Sequence, residues 1–374
     1  MPDHSAELRR LACDLVAIDS RSFLSNIPVA DRIEQALDGF EIERLDYADA
    51  AGTPKRVLVA HRGPPGGIAL SGHMDTVPAT GWEGDPWDPR IDAEGVLHGL
   101  GSQDMKGAIA AAILAARAVP ADVPATLLLT TDEETSKEGA RVVAGRSQLA
   151  ASLALRGIVV AEPTGLAPVR GHRTHVNFQV EAAGVQAHSS TGRGTNANWA
   201  LLPFLAEMKA LFDRLRTDPA LLDPAYDPPF SDFNLILDNH GTAINVTVAR
   251  ATARIKFRYS RSIDPEPVVA AVRAAAERAG LSFDATYEGR PPELPADHPL
   301  IRLAAEATGL PAGTVPFGTD ASEMQGLAPC VILGPGSIAT AHTPHEHVAM
   351  RDLEAAVPLF ARLLRDGAAL PPAG

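Results

Sequence analysis

A histidine and an aspartate, His73 and Asp75, follow directly on an apolar run in IALSGHMDTVP. Three more apolar runs lead into the same kind of residue. ATLLLTTDEE ends on Glu133 and Glu134, GIVVAEPT carries Glu162, and CVILGPGSIATAH ends on His342. Each run reads as a buried strand, and ligands of open α/β sheets bind outside the carboxyl ends of the strands. Imidazoles and carboxylates gathered there are metal donors. A two-metal hydrolytic centre needs about three protein ligands and an open position per ion. It also needs a carboxylate that bridges ions ~4 Å apart, and a free carboxylate that moves a proton. His73, Asp104, Glu133, Glu134, Glu162 and His342 fill that inventory. Each motif alone has a plainer reading. His-x-Asp is commonly a turn, Glu-Glu a solvated helix start, and Asp104 of DMKG a helix N-cap. Their joint placement after apolar runs is what carries the metal reading.

The elements that must position these residues are legible in outline. Leu8, Leu11, Leu15 and Ile18 mark one face of a helix over 5–18. A second helix is expected over Asp31–Leu37, and strands over Glu41–Leu45 and Arg56–His61. The alanine-rich stretch Asp104–Val119 is helical and stopped by Pro120. This order predicts an α/β fold, a mixed sheet flanked by helices. After the Pro/Gly-bearing connection 165–173 the pattern changes. VNFQVEAAG alternates Val176, Phe178 and Val180 with polar residues, as a half-exposed strand does. A helix over Asn198–Leu215 and a proline-rich loop follow. VTVARATARIKFRYS alternates again, and a further helix has Asp264 as N-cap, Pro265 at N1 and Gly280 at its end. A second linker spans 289–299. Residues 172–288 therefore read as an α+β domain inserted into a catalytic domain made of 1–171 and 289–374.

Composition narrows the function. The chain has 374 residues and a formal net charge of −13, which argues against nucleic acid or an anionic membrane as partner. Cys13 and Cys330 are the two cysteines, too few for a zinc finger or a disulfide framework. They read as core thiols of a reducing compartment. The start lacks the order of a signal peptide, and no apolar run is long enough to span a bilayer. A cytoplasmic enzyme is expected.

Five motifs in order, SGHMDTVP, GLGSQDMKG, TTDEETSKEGA, AEPT and GPGSIATAHTPHE, resemble those of the co-catalytic zinc amidohydrolases. That family includes acetylornithine deacetylase, succinyl-diaminopimelate desuccinylase, aminoacylase and glutamate carboxypeptidase. The resemblance implies a zinc-exopeptidase-like catalytic domain, an inserted lid and dimerisation domain, and a homodimer through it. It implies two Zn²⁺ ions, with Co²⁺ or Mn²⁺ as substitutes. Asp104 would bridge them, His73 and Glu162 would complete one ion, and Glu134 and His342 the other. Glu133 would be the general acid/base, and Asp75 would hydrogen-bond the His73 imidazole. HTPHEH holds His342, His345 and His347; AH-x-x-x-E favours His342, where the family's ligand falls. Gln103 stands where a small residue is common.

In the inserted domain, His188 resembles the histidine that polarises the scissile carbonyl in the partner subunit. Its plainer reading is a loop histidine bonded to Ser189 or Ser190. Asn245 and Arg258 resemble residues that bind the substrate's carboxylate, although Arg258 also alternates with Lys256 and Arg254 on what could be a solvated basic face. GTDAS (318–322) and Gly334–Ser337 are expected to line the pocket with backbone N–H groups. The implied reaction is cleavage of the amide of an N-acyl amino acid or short peptide by a dizinc-bound hydroxide. GLGSQDMKG, SNIPVADRIE and WEGDPWDP are most similar to the acetylornithine deacetylase branch. The desuccinylase, or a dipeptidase or carboxypeptidase, is the alternative. A non-catalytic relative would lack a ligand or the acid/base, and all six positions are filled.

Overall fold

The apolar runs form neighbouring strands of one sheet. In the computed structural model, which describes residues 4–372, Ile68–His73 pairs in parallel with Ala125–Thr130 and with Gly157–Pro163. Gly157–Pro163 pairs in parallel with Cys330–Gly334. Every residue of these four strands is buried. Strands covered on both faces read as continuous apolar runs instead of alternating ones. Glu41–Ala48 and Pro54–Arg62 add an antiparallel edge, and Val169–His172 and Gly313–Val315 complete an eight-stranded mixed sheet.

The alanine-rich helix starts at Lys106 and runs to Ala118, buried over almost its whole circumference. Small side chains let it lie between strand Ile68–His73 and the helices Ser5–Val16 and Met350–Gly367. Leu8, Leu15, Ile109, Ile113, Leu353 and Phe360 share one core with Ile68 and Leu70. Each such side chain contributes ~1.5–3 kcal/mol on leaving water. The helix expected at Asp31–Leu37 instead spans Ile27–Glu34. Pro28 in its first turn lacks an N–H that the helix does not need there. Asn26, just before it, exchanges two hydrogen bonds with the Arg56 backbone.

Two compact units result. The first takes in the chain up to Gly171, Pro292–Gly313 and the stretch from Thr319; the second is His172–Pro291 with Thr314–Gly318. Residues 289–291 and 314–318, assigned to the first unit from sequence, thus fall in the second. Contacts explain it: the Thr314 hydroxyl donates to the Ala225 carbonyl, and Arg261 Nη1 donates to the Pro291 carbonyl at 3.4 Å.

The second unit is a four-stranded antiparallel sheet in the order Asp232–Asp238, Arg250–Tyr259, Thr174–Ala183, Ser282–Tyr287. Helices Asn198–Thr217 and Glu266–Arg278 cover it. Val176, Phe178 and Val180 face this core, as their alternation predicts, beside Phe204, Ile255 and Val272. Pro265, not Asp264, is the N-cap of helix Glu266–Arg278; Asp264, one residue earlier, accepts from the Glu266 amide at 3.1 Å. Strand Asp232–Asp238 has no counterpart in the sequence reading, because Phe233 is its one buried residue and no alternation marks it. Among the described residues, no helix is long and apolar enough to cross a membrane.

Gly334 makes the closest approach in the first sheet: a Cβ there would stand 2.1 Å from the Ala161 carbonyl oxygen. Gly334→Ala should therefore cost about 1–3 kcal/mol and lower the unfolding temperature by several degrees. Gly326→Ala is the control, since a Cβ at Gly326 meets nothing within 4 Å. Calorimetry on both variants checks this.

Candidate metal centre

Asp104 stands between two imidazoles. Its Oδ1 is 3.0 Å from His73 Nε2, and its Oδ2 is 3.3 Å from His342 Nε2. Glu162 Oε1 lies 3.9 Å from His73 Nε2, and Glu134 Oε1 lies 2.9 Å from His342 Nε2. The result is two groups, His73–Asp104–Glu162 and Asp104–Glu134–His342, each with its donor atoms within 4.8 Å of one another. They share Asp104 and give it one oxygen for each group. His345 and His347 belong to neither. The His347 ring lies beside His98, and its Nδ1 pairs with the His345 carbonyl at 2.7 Å. Of the three histidines of HTPHEH, His342 is the one that falls in these groups.

Backbone and buried cations hold these side chains in place. His73 is the last residue of its strand, and Glu162 the next to last of its own. Glu133 and Glu134 follow Asp132, whose φ of 63° is left-handed. A non-glycine residue pays ~1–3 kcal/mol for that conformation. Two anchors offset it: Lys55 Nζ is 2.7 Å from Asp132 Oδ1, and the Tyr47 hydroxyl donates to Oδ2 at 2.7 Å. Lys55 is itself fully buried and also donates to the carbonyls of Ser22 and Leu24.

Asp75 meets the His73 imidazole through its backbone and the acidic loop through its side chain. His73 Nδ1 pairs with the Asp75 carbonyl oxygen at 2.9 Å, while the carboxylate Oδ1 is 3.6 Å away. A proton on Nδ1 leaves the Nε2 lone pair for a ligand. The carboxylate instead accepts from Ser22 Oγ at 2.7 Å and from the amides of Glu133 and Glu134 at 3.2 and 3.3 Å. It ties the acidic loop to the strand that ends on His73.

Glu346, which sequence reasoning used only as a marker for His342, is buried, and its Oε1 accepts from the amides of Gln103 and Asp104 at 2.9 and 3.0 Å. Asp104 is not an N-cap; helix Lys106–Ala118 has no side-chain cap, and the Asp104 carboxylate turns to the imidazoles. Gln103 occupies the space that a Cβ on Gly336 would need, at 2.2 Å, so the large residue at 103 is matched by the glycine. Gly336 and Ser337 line a cavity of about 410 Å³ with Gln103 and Thr340. The Gly334 amide is committed to Thr164 Oγ1 at 3.2 Å, and the amides of Ala321 and Ser322 to Thr319. Those three N–H groups, expected to face a ligand, serve the fold.

The electrostatics follow from carboxylates crowded into a buried region. Burial pushes the Glu162 carboxyl well above its ordinary range, and the charge of Asp104 adds to this. Glu134 is pushed up to about 8, by burial first and then by Asp104 and Glu133, against a hydrogen bond from His342. Burial also raises Glu133, and raises Asp320 to about 7. Hydrogen bonds to Asp104 and Glu134 hold the His342 imidazole up at about 11. Asp104 is held below its usual range, because the two imidazoles outweigh its burial. Protons thus offset crowded anions. Divalent cations offset them better, and binding them releases the imidazole protons. Imidazole and carboxylate donors suit first-row divalent ions, so the residues fit the group.

His188, Asn245 and Arg258 belong to the second unit. His188 is exposed, with Nδ1 2.8 Å from Ser190 Oγ. Asn245 is exposed, and its carbonyl accepts from the Ser189 amide at 3.0 Å. Arg258 donates to Asp232 at 2.9 Å. With Arg254 and Lys256 it lines a cavity of about 550 Å³ on the open face of the sheet.

Residues 69–366 match the family described as Peptidase family M20/M25/M40. An acetylornithine deacetylase from Myxococcus xanthus is 33% identical, over 97% of this chain and 98% of its own. A di-peptidase from Saccharomyces cerevisiae shares the fold, with a TM-score of 0.77 over 98% of this chain and 97% of its own at 15% identity. So does a dinuclear metal binding peptidase from Bacillus subtilis, with a TM-score of 0.63 over 97% and 98% at 18% identity. Fold and site together define a metal-dependent amide hydrolase, with the mixed sheet and flanking helices expected from sequence. The chain belongs to peptidase family M20/M25/M40.

Glu346→Ala should leave the buried amides of Gln103 and Asp104 without an acceptor, at about 1–3 kcal/mol each. Glu346→Gln keeps one oxygen and should lose less. Thermal unfolding of the two variants, metal-free, is the measurement; equal losses would remove this role from the Oε1 acceptor.

Proposed function

We propose that the protein hydrolyses the amide bond of N-acyl amino acids, with N-acetylornithine the first substrate to test, using two zinc ions. The observation that carries this reading is the pair of His–carboxylate groups joined at Asp104. The similarity to the Myxococcus xanthus acetylornithine deacetylase over nearly the whole of both chains supports the choice of substrate. His73 and Glu162 would hold one ion, Glu134 and His342 the other, and Asp104 both. When bound, the ions supply Lewis acidity and lower the pKa of water toward neutrality.

Glu133 is then the carboxylate left to move protons. It takes the proton of the attacking water and delivers it to the leaving amine nitrogen. Burial, which raises its carboxyl, suits both duties. His188, Asn245 and Arg258 are assigned to the substrate's polar groups, the carbonyl for His188 and the carboxylate for the other two. A planar guanidinium matches a carboxylate with paired hydrogen bonds. Arg258 would have to exchange Asp232 for the substrate.

We further infer a homodimer through the second unit. Its edge strand exposes Ile236 and Leu237 at 56% and 53%, and helix Asn198–Thr217 exposes Trp199 at 71%. Unpaired edges with apolar side chains favour pairing with another chain. A cytoplasmic location fits the free Cys13 and Cys330.

With zinc added, acetate release from N-acetyl amino acids should outpace succinate release and dipeptide cleavage by at least about tenfold in kcat/KM. Faster succinate release would transfer the protein to the desuccinylase branch. Elemental analysis should find about two zinc ions per chain, and about one in His342→Ala. Glu133→Gln should keep its zinc and lose activity by roughly a hundredfold or more. Light scattering should report a dimer, and Leu237→Lys a monomer.

A further inference from the structure

The geometry points to Lys137 as a positioning residue that holds the Glu133 carboxylate in its working orientation. This rests on the reading of Glu133 as the general acid/base. Lys137 follows Glu133 by four residues in TTDEETSKEGA. An exposed pair at that spacing on a helix contributes little. Here the segment is a turn, and both side chains are buried, at 8% and 10% exposure. Lys137 sits just before helix Glu138–Arg146 with a left-handed φ of 56°, and its amide closes the turn onto the Asp132 carbonyl at 2.7 Å. Glycine or asparagine suits that conformation better than lysine. The backbone therefore gives no reason for a lysine at 137, and its side chain does.

That side chain turns back over the loop. Nζ lies 3.4 Å from Glu133 Oε1 and donates to the Thr319 carbonyl at 2.9 Å. Thr319 is on a separate buried segment, which is fastened in turn by the hydrogen bond from Thr130 Oγ1 to Asp320 at 2.5 Å. The ammonium is thus moored to a neutral acceptor that does not move with the acidic loop. One oxygen of Glu133 is held, and the other remains for the reacting proton. Misplacing such a group by 1 Å can cost on the order of a hundredfold in rate.

Lys137→Gln separates the two contacts, since an amide still donates to Thr319 but carries no charge for Glu133. We expect kcat to fall by about tenfold or more with KM within about twofold. Zinc content and unfolding temperature should stay at parent values. Lys137→Arg keeps the charge and should recover most of the lost kcat. In a Glu133→Gln background, Lys137→Gln should add almost nothing, as expected of residues that act as a unit. A fully active Lys137→Gln beside an inactive Glu133→Gln would overturn this inference alone. So would an Arg variant as slow as the Gln variant, or an undiminished loss in the Glu133→Gln background. A fully active Glu133→Gln would remove the acid/base reading, and this inference with it.

Discussion

Crowding carboxylates in a buried region is tolerated only where positive charge is supplied among them. At an effective dielectric of 20, two charges 4 Å apart interact by ~4 kcal/mol. Asp104, Glu133, Glu134 and Glu162 all have side chains no more than 10% exposed. The fold answers with three buried lysines. Lys55 pairs with Asp132, Lys137 with Glu133, and Lys106 feels the charge of Glu346. Each also donates to backbone carbonyls of another segment: Ser22 and Leu24, Thr319, and Ile18. The scaffold's cations are therefore bolts as well as counter-charges. They serve the outer acids, while the inner ones, around Asp104, face imidazoles.

The sheet makes this arrangement reachable. Ile68–His73, Ala125–Thr130 and Gly157–Pro163 run parallel, so that His73, the Glu133–Glu134 loop and Glu162 emerge at one end. The longest reach is that of His342, eight residues past Gly334, and it arrives with a left-handed φ of 58°. Its orientation comes from Glu134 and Asp104 more than from its own strand.

What could be read in the sequence divides along the same line. Parallel strands covered on both faces leave continuous apolar runs, so the residues after them were legible, as was the helix after DMKG. The alternation of Val176, Phe178 and Val180 was legible for the same reason in reverse. Strand Asp232–Asp238 was not, because an edge strand with one buried residue writes no pattern. Nor were Lys55, Lys137 and Glu346 legible as supports, since each acts on a segment remote in sequence or through a turn. The Asp75–His73 hydrogen bond is made by the Asp75 carbonyl, which every residue possesses. Side-chain identity therefore marked Asp75 for its other duty, holding the Glu133 and Glu134 amides.

The first unit is closed by strand Cys330–Gly334, which pairs Val331 with Val159 across the whole of the second unit. Contacts so distant in sequence form late and slowly. A nascent chain emerges amino end first, and its domains fold as units, so the continuous stretch His172–Pro291 can be finished while the first sheet still lacks an inner strand. The last donor, His342, leaves the ribosome only after both. A nascent chain that has not yet reached His342 therefore holds His73, Asp104, Glu134 and Glu162 without the imidazole that joins Glu134 to Asp104.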